Sequence, residues 1–178
     1  MERTQLGREF YKLGLRLGGL ALCWRRRLLW HTGGLRFARP RPEVECPYLR
    51  AEHATPLLRR PRGEDMALQR SKVTNLRLPA ARLDGLILRP GETLSFWRAV
   101  GRPTRRRGYV EGMILRNGRV ASGVGGGLCQ MTNLLYWMTL HTPLTVTERW
   151  RHGYDVFPDS NRTQPFGSGA TCCYNDMD

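Results

Sequence analysis

Lysine is almost missing from this chain of 178 residues: it occurs only at Lys12 and Lys72, so 27 of the 29 basic residues are arginine. Acidic side chains are also scarce, 15 in all, which leaves a net charge of +14. A balance this basic draws a protein towards anionic surfaces such as membranes, wall polymers or nucleic acid. Heavy arginine use can mean recognition of phosphate or carboxylate, whose geometry the guanidinium fork matches, or a GC-rich genome, and the spread of the arginines along the chain favours the genome reading. Nucleic-acid binding therefore draws on composition alone and is the weakest reading of the charge.

Several signatures are missing. The five cysteines (Cys23, Cys46, Cys129, Cys172 and Cys173) contain no CxxC pair, which excludes a zinc ribbon or a thioredoxin-like motif. Their odd number and irregular spacing argue against a disulfide framework and for a reducing compartment. There is no long hydrophobic run. Leu13–Trp24 is interrupted by Arg16 and followed by Arg25, Arg26 and Arg27, too short and too charged to span a bilayer. No small-residue cleavage site follows it, so it does not read as a secretory signal. The expected location is cytoplasmic. A basic segment carrying Leu, Trp and Tyr is also suited to the inner membrane surface. The glycine run at 123–127 lacks the Gly-Lys-Ser/Thr ending of a phosphate loop and does not match a dinucleotide fingerprint. Neither a cofactor nor a metal is expected.

What is present reads as one α+β domain with a basic arm. Residues 1–31 carry Phe10, Leu13, Leu17 and Leu20 at helical spacing, although Gly14, Gly18 and Gly19 weaken that helix. Residues 32–65 are rich in Gly, Pro and Arg and read as a linker or irregular arm. The expected division is a basic helix and Pro/Arg-rich arm over 1–64 and a compact domain over 65–178. Within the domain, 66–86 is weakly helical around Leu68, Val73, Leu76, Leu78 and Leu83, with a break expected at Pro79. Strands are expected at 85–89 and 93–97. A hairpin is expected around Asn117-Gly118, the strongest short turn signal available. Met131, Leu134, Leu135 and Met138 then sit at i, i+3, i+4 and i+7, which predicts an amphipathic helix over about 128–140, ended by Pro143. Leu144–Trp150 alternates like a strand. The expected architecture is a mostly antiparallel sheet packed on that central helix. The abrupt finish at 170–178 reads as a strand entering another turn, as a truncated chain would give.

Cys129 is the leading candidate for chemistry. It follows the glycine run at the predicted first turn of a helix, where the amide groups and helix dipole favour a thiolate. Gly126 and Gly127 let the backbone approach a substrate and could turn amide hydrogens on an oxyanion. A cysteine in such a place also serves often as a small buried apolar residue. His152 is the natural base for a nucleophilic thiol, and Asp155 or Asp159 could orient its imidazole. Gln130 could add a donor to an oxyanion. Arg107, the last of three consecutive arginines, could hold an acidic group, although a charge run is more often a solvated loop. His31 and His53 fall in the arm, and His141 reads as a helix-end capping residue.

These residues sit in stretches that resemble the VanW family. The likeness is carried by Lys72-Val-Thr-Asn-Leu, Pro90-Gly-Glu-Thr-Leu-Ser-Phe-Trp and Arg107-Gly-Tyr-Val-Glu-Gly-Met. It continues through 125–138 with Gly-Gly-Gly-Leu-Cys-Gln-Met-Thr-Asn, through His141-Thr-Pro-Leu-Thr-Val, and through Phe166-Gly-Ser-Gly-Ala-Thr. The resemblance implies an accessory of glycopeptide-antibiotic resistance and cell-wall metabolism. It also implies chemistry of the L,D-transpeptidase type, in which a cysteine takes an acyl group from one peptidoglycan peptide and passes it on. Carried over by position, Cys129 is the nucleophile and His152 the histidine after the Glu-Arg strand. The implied partners are a peptidoglycan peptide or a lipid-linked precursor. Many relatives place a serine after that histidine, where this chain has Gly153, and relatives continue past the equivalent of Asp178. A non-catalytic binder of a wall precursor or of a resistance-cluster partner is the competing reading.

Overall fold

The computed structural model describes residues 2–58, 66–116, 119–151, 169–174 and 177–178. The chain opens with one long helix, α1 (Glu2–Thr32). The arm follows as two very short strands, β1 (Arg36–Phe37) and β2 (Arg39–Pro40), and then irregular chain. Next come α2 (Met66–Leu83), β3 (Leu86–Ile87), β4 (Glu92–Thr93) and the five-residue α3 (Phe96–Val100). After a 3-10 turn at Arg105–Arg107 there is a hairpin of β5 (Glu111–Arg116) and β6 (Arg119–Val124), then α4 (Cys129–Thr139).

The mixture is α+β, as the sequence implied, but the strands form three separate pairs. β1 runs parallel to β4, β2 antiparallel to β3, and β5 antiparallel to β6. Among the described residues there is thus no single sheet. The β5–β6 hairpin lies along α2, with Glu111 opposite Val124 and Arg116 opposite Arg119. The Asn117-Gly118 turn itself falls outside the described residues.

Local chemistry explains where the elements depart from expectation. The predicted strand at 93–97 is cut short because Ser95 takes the N-cap position of α3 and accepts a hydrogen bond from the Arg98 backbone N–H at 3.3 Å. Phe96 and Trp97 consequently enter the core from a helix. Pro79 does not end α2, which continues to Leu83. Its ring is fully buried, and that packing offsets the loss of the one helical hydrogen bond a proline cannot donate. The 144–150 stretch keeps only a bridge at Trp150, paired with Thr171. The hydrophobic core gathers Leu76, Phe96, Trp97, Val100, Tyr109, Leu128 and Cys172.

Among the described residues, two ion pairs fasten the N-terminal third to the rest. Arg26 of α1 makes a bidentate pair with Glu148, at 2.7 and 2.6 Å. Burial works against ionisation of Glu148, yet hydrogen bonds from Arg26, the Trp150 indole and the Asp178 backbone hold its carboxyl below the usual range. Trp30 packs against the core, and the Cys23 thiol donates to the Tyr174 carbonyl at 3.4 Å. In the arm, Arg41 grips Glu92 with both guanidinium nitrogens, at 2.9 and 2.5 Å, and donates to the Ile87 carbonyl at 2.7 Å. The segment that reads as a linker is in this way strapped along β3 and β4.

The carboxyl of Glu92 is lowered to about 2, first by the Arg41 side chain and then by the Arg89 backbone N–H. A depressed carboxylate contributes stability above its unfolded value and loses it as pH falls through the folded value. The strap's contribution should therefore be complete above the ordinary carboxylate value of 4.5 and fall away progressively as pH drops from there towards about 2. Limited proteolysis of the arm should be flat above that window and rise within it, whereas Arg41→Ala should expose the arm at neutral pH.

Candidate functional site

The site is built on the tight turn that joins β6 to α4. Gly125 and Gly127 have positive φ, +79° and +94°, a region that side chains other than glycine rarely adopt. Gly126 backs directly onto the Gly112 backbone of β5, and a Cβ there would overlap it. Gly127 sits over the aliphatic stem of Lys72 in the same manner. The turn closes with Gly126 N–H donating to the Gly123 carbonyl and Gln130 N–H to the Gly127 carbonyl, both at 3.0 Å. Leu128 buries its side chain in the core, and Cys129 opens the helix.

Asn75 of α2 holds this turn from beneath. Its side chain is fully buried and makes three hydrogen bonds. The Oδ1 accepts from Val110 N–H at 2.9 Å, and the Nδ2 donates to the carbonyls of Val110 at 3.0 Å and Gly126 at 2.9 Å. Asn75 belongs to a polar stripe on the inner face of α2. One turn back, the Lys72 ammonium donates to Gln69 Oε1 at 3.1 Å, with both residues buried. The sequence reading missed this stripe because it followed the leucines of α2. One signal was available: a lysine is conspicuous in a chain that otherwise uses arginine.

Cys129 is half-buried. The Thr171 hydroxyl donates to its Sγ at 3.2 Å, and the Cys129 thiol itself donates to the Cys172 carbonyl at 3.7 Å. Thr171 is itself fixed by its backbone N–H to the Trp150 carbonyl at 2.9 Å, and Asn133 of α4 accepts from Ala170 N–H at 3.1 Å. Arg149 stacks over the Tyr136 ring and donates to the Gly169 carbonyl, which ties the same segment to α4. The buried Cys172 thiol is raised well above the usual thiol range, first by its contact with Cys129 and then by burial. Cys173 is raised by burial first and then by Cys129 and Cys23. Neither Thr171 nor Cys172 was singled out beforehand, since nothing in the sequence shows which distant segment will lie against the glycine turn.

The other expected site residues are placed as follows. Gly126 and Gly127 form the turn before Cys129. Gln130 points its amide nitrogen at the arm, donating to Thr55 Oγ1 at 2.9 Å and the Pro56 carbonyl at 3.3 Å. Arg107 folds back on its own loop, donating to the Arg102 carbonyl at 3.1 Å beside Gly101. His152, Asp155 and Asp159 lie outside the described residues. His141 and the arm's His53 both pack against Trp137, with ring centroids 5.5 and 5.7 Å away. The Tyr109 hydroxyl is buried without a hydrogen-bond partner among the described residues, and burial raises its pKa.

These features define an α+β protein organised round a cysteine at a helix start, behind a glycine turn clamped by a buried asparagine. A family model described as VanW like protein matches residues 71–178, and the chain belongs to that family. It is 38% identical over 172 residues to the vancomycin B-type resistance protein VanW of Enterococcus faecalis, a match covering 96% of this chain and 62% of that protein. It is also 35% identical over 87 residues to the uncharacterized protein YoaR of Bacillus subtilis, covering 49% of this chain and 29% of that protein. The chain thus spans less than two thirds of the length of either relative. No solved structure matches it. The family match takes in Lys72, Asn75, the glycine turn and Cys129 together.

Replacing Asn75 by alanine would leave the Gly126 carbonyl and the Val110 N–H without this partner, while the Val110 carbonyl keeps the Gly125 N–H at 3.0 Å. Each such loss costs about 1–3 kcal/mol, so Asn75→Ala should lower unfolding free energy by at least about 2 kcal/mol in urea titration. A loss no larger than that of a surface substitution would show that the turn does not lean on this amide.

Proposed function

We propose that the chain acts in glycopeptide-antibiotic resistance and cell-wall metabolism as a cysteine acyltransferase of the L,D-transpeptidase type. The observation that carries this is the setting of Cys129: first residue of α4, with a hydroxyl donor 3.2 Å from its sulfur. Amide groups at a helix start and a hydroxyl donor both favour a thiolate, which is the nucleophilic form. The family and the printed name of the Enterococcus relative supply the resistance context, and the cell-wall context is what the motif resemblance implies.

In this reading the Cys129 thiolate attacks the carbonyl carbon of a donor peptide stem. The C–N bond breaks, the leaving amine takes a proton from His152, and a thioester remains on Cys129. An acceptor amine then attacks the thioester, gives its proton back to His152 and releases the thiolate. Asp155 orients the imidazole. The Gly126 N–H is already given to the Gly123 carbonyl, so the turn's donor to the oxyanion is the Gly127 N–H, and Arg107 leaves the Arg102 carbonyl to receive an acidic group of the stem.

A second reading has one observation in its favour. The amide nitrogen of Gln130 is engaged by Thr55 and Pro56, not turned towards the thiol. In that case the same surface binds a wall precursor or a resistance-cluster partner without turnover.

The deciding experiment incubates the full chain with peptidoglycan tetrapeptide stems and follows its intact mass. The acyltransferase reading expects an acyl adduct on Cys129, its absence in Cys129→Ala, and a fall of roughly 100-fold or more in His152→Ala. Retention of full activity by Cys129→Ala would sink it. Saturable stem binding with no adduct, unchanged in Cys129→Ala, would establish the binder instead. Removing the hydroxyl donor in Thr171→Val should slow alkylation of Cys129 below pH 8 by several-fold, read by mass spectrometry against the other four cysteines.

A further inference from the structure

α1 has two faces of opposite use. Successive helical residues turn by about 100°, so Cys23, Arg26 and Trp30 fall on one side. That side is the docked one, where these residues meet Tyr174, Glu148 and the core. Leu17, Trp24 and Leu28 fall within about 40° of one another on the opposite side, with Leu20 at their edge. They are exposed to 57, 68 and 61%, and Leu20 to 51%. Arg25 and Arg27 flank this stripe, each about 80° from its centre, and the Arg27 guanidinium lies over the Trp24 ring at 5.9 Å. No helix among the described residues is long and apolar enough to cross a membrane.

We infer that the outward stripe of α1 is a docking surface for an anionic lipid bilayer, with Leu17, Trp24 and Leu28 entering the headgroup boundary and Arg25 and Arg27 meeting lipid phosphates. The ion pair to Glu148 turns the apolar side of the helix away from the domain, where it can cover no core of its own. Arginines on both margins of an apolar stripe match an acidic headgroup layer on either side of an embedded helix. The net charge of +14 makes the approach to such a surface favourable over its whole length. A second copy of the chain fits less well, because two such helices face to face would bring four flanking arginines together. The inference stands apart from the acyltransferase reading, since it does not involve Cys129.

The test is sedimentation of the full chain with vesicles of phosphatidylcholine alone and of phosphatidylcholine mixed with phosphatidylglycerol. Binding should require the anionic lipid and weaken with salt. The triple substitution Leu17→Ser, Trp24→Ser, Leu28→Ser should reduce partitioning by roughly tenfold or more, and Arg25→Gln with Arg27→Gln by several-fold. The Leu17, Trp24 and Leu28 side chains point into solvent, so thermal melts of the triple variant should match the parent. Brominated lipid should quench a fluorescence component that disappears in Trp24→Phe, a readout that needs no triple variant. Vesicle binding unchanged by the triple substitution, with no Trp24-dependent quenching, would overturn the inference in favour of charge alone. Absence of vesicle binding together with a dimer that the triple substitution dissociates would overturn it in favour of self-association.

Discussion

Everything around the candidate site depends on the buried side-chain amide of Asn75. One residue on α2 satisfies both backbone groups of Val110 at the entry to β5 and the carbonyl of Gly126 in the turn before α4. Val110 borders the β5–β6 ladder, where its carbonyl also accepts from the Gly125 N–H at 3.0 Å, and the Asn75 side chain extends that join to Gly126 and α2. With the amide in place, Gly126 can lie against Gly112 with no side chain between them, and the start of α4 acquires a fixed position. The Cys129 sulfur then meets Thr171 and Cys172 at a defined distance. The three small two-stranded pairs could not supply this rigidity themselves, since isolated pairs of strands are marginal in water.

A second layer of fastening comes from arginine. Arg26 joins α1 to Glu148, Arg41 joins the arm to Glu92, and Arg149 joins the segment before Thr171 to α4. The first two are bidentate, a geometry in which the planar guanidinium fork outperforms lysine. The abundance of arginine that composition attributes to codon usage has thereby been put to structural use at three places. The arm ends on α4 itself, where His53 touches Trp137 and Thr55 and Pro56 engage Gln130.

Period and turn chemistry made part of this legible. The helices α1 and α4 and the β5–β6 hairpin were evident from spacing and from Asn117-Gly118, and the helix-start position of Cys129 followed from the glycine run. The inner face of α2 was not legible, because its buried stripe is polar: Gln69, Lys72 and Asn75 occupy positions where hydrophobic periodicity expects leucine. Ser95 turned an apolar strand pattern into a helix start, a case where one capping side chain overrides the alternation around it. Thr171 and Cys172 were invisible for a different reason. Their roles come from a meeting of segments more than 40 residues apart, and a sequence read without relatives holds no record of such pairings.

Those separations bear on how the protein comes together. The Cys23 thiol meets the carbonyl of Tyr174 at a separation of 151 positions along the chain, and Arg26 meets Glu148 at a separation of 122. Contacts so remote in the chain form slowly, because loop closure must be completed before they return any energy. During synthesis α1 therefore leaves the ribosome long before its docking partners exist. In that interval both of its faces are bare, and the nascent helix is exposed to whatever surface or chaperone it meets first.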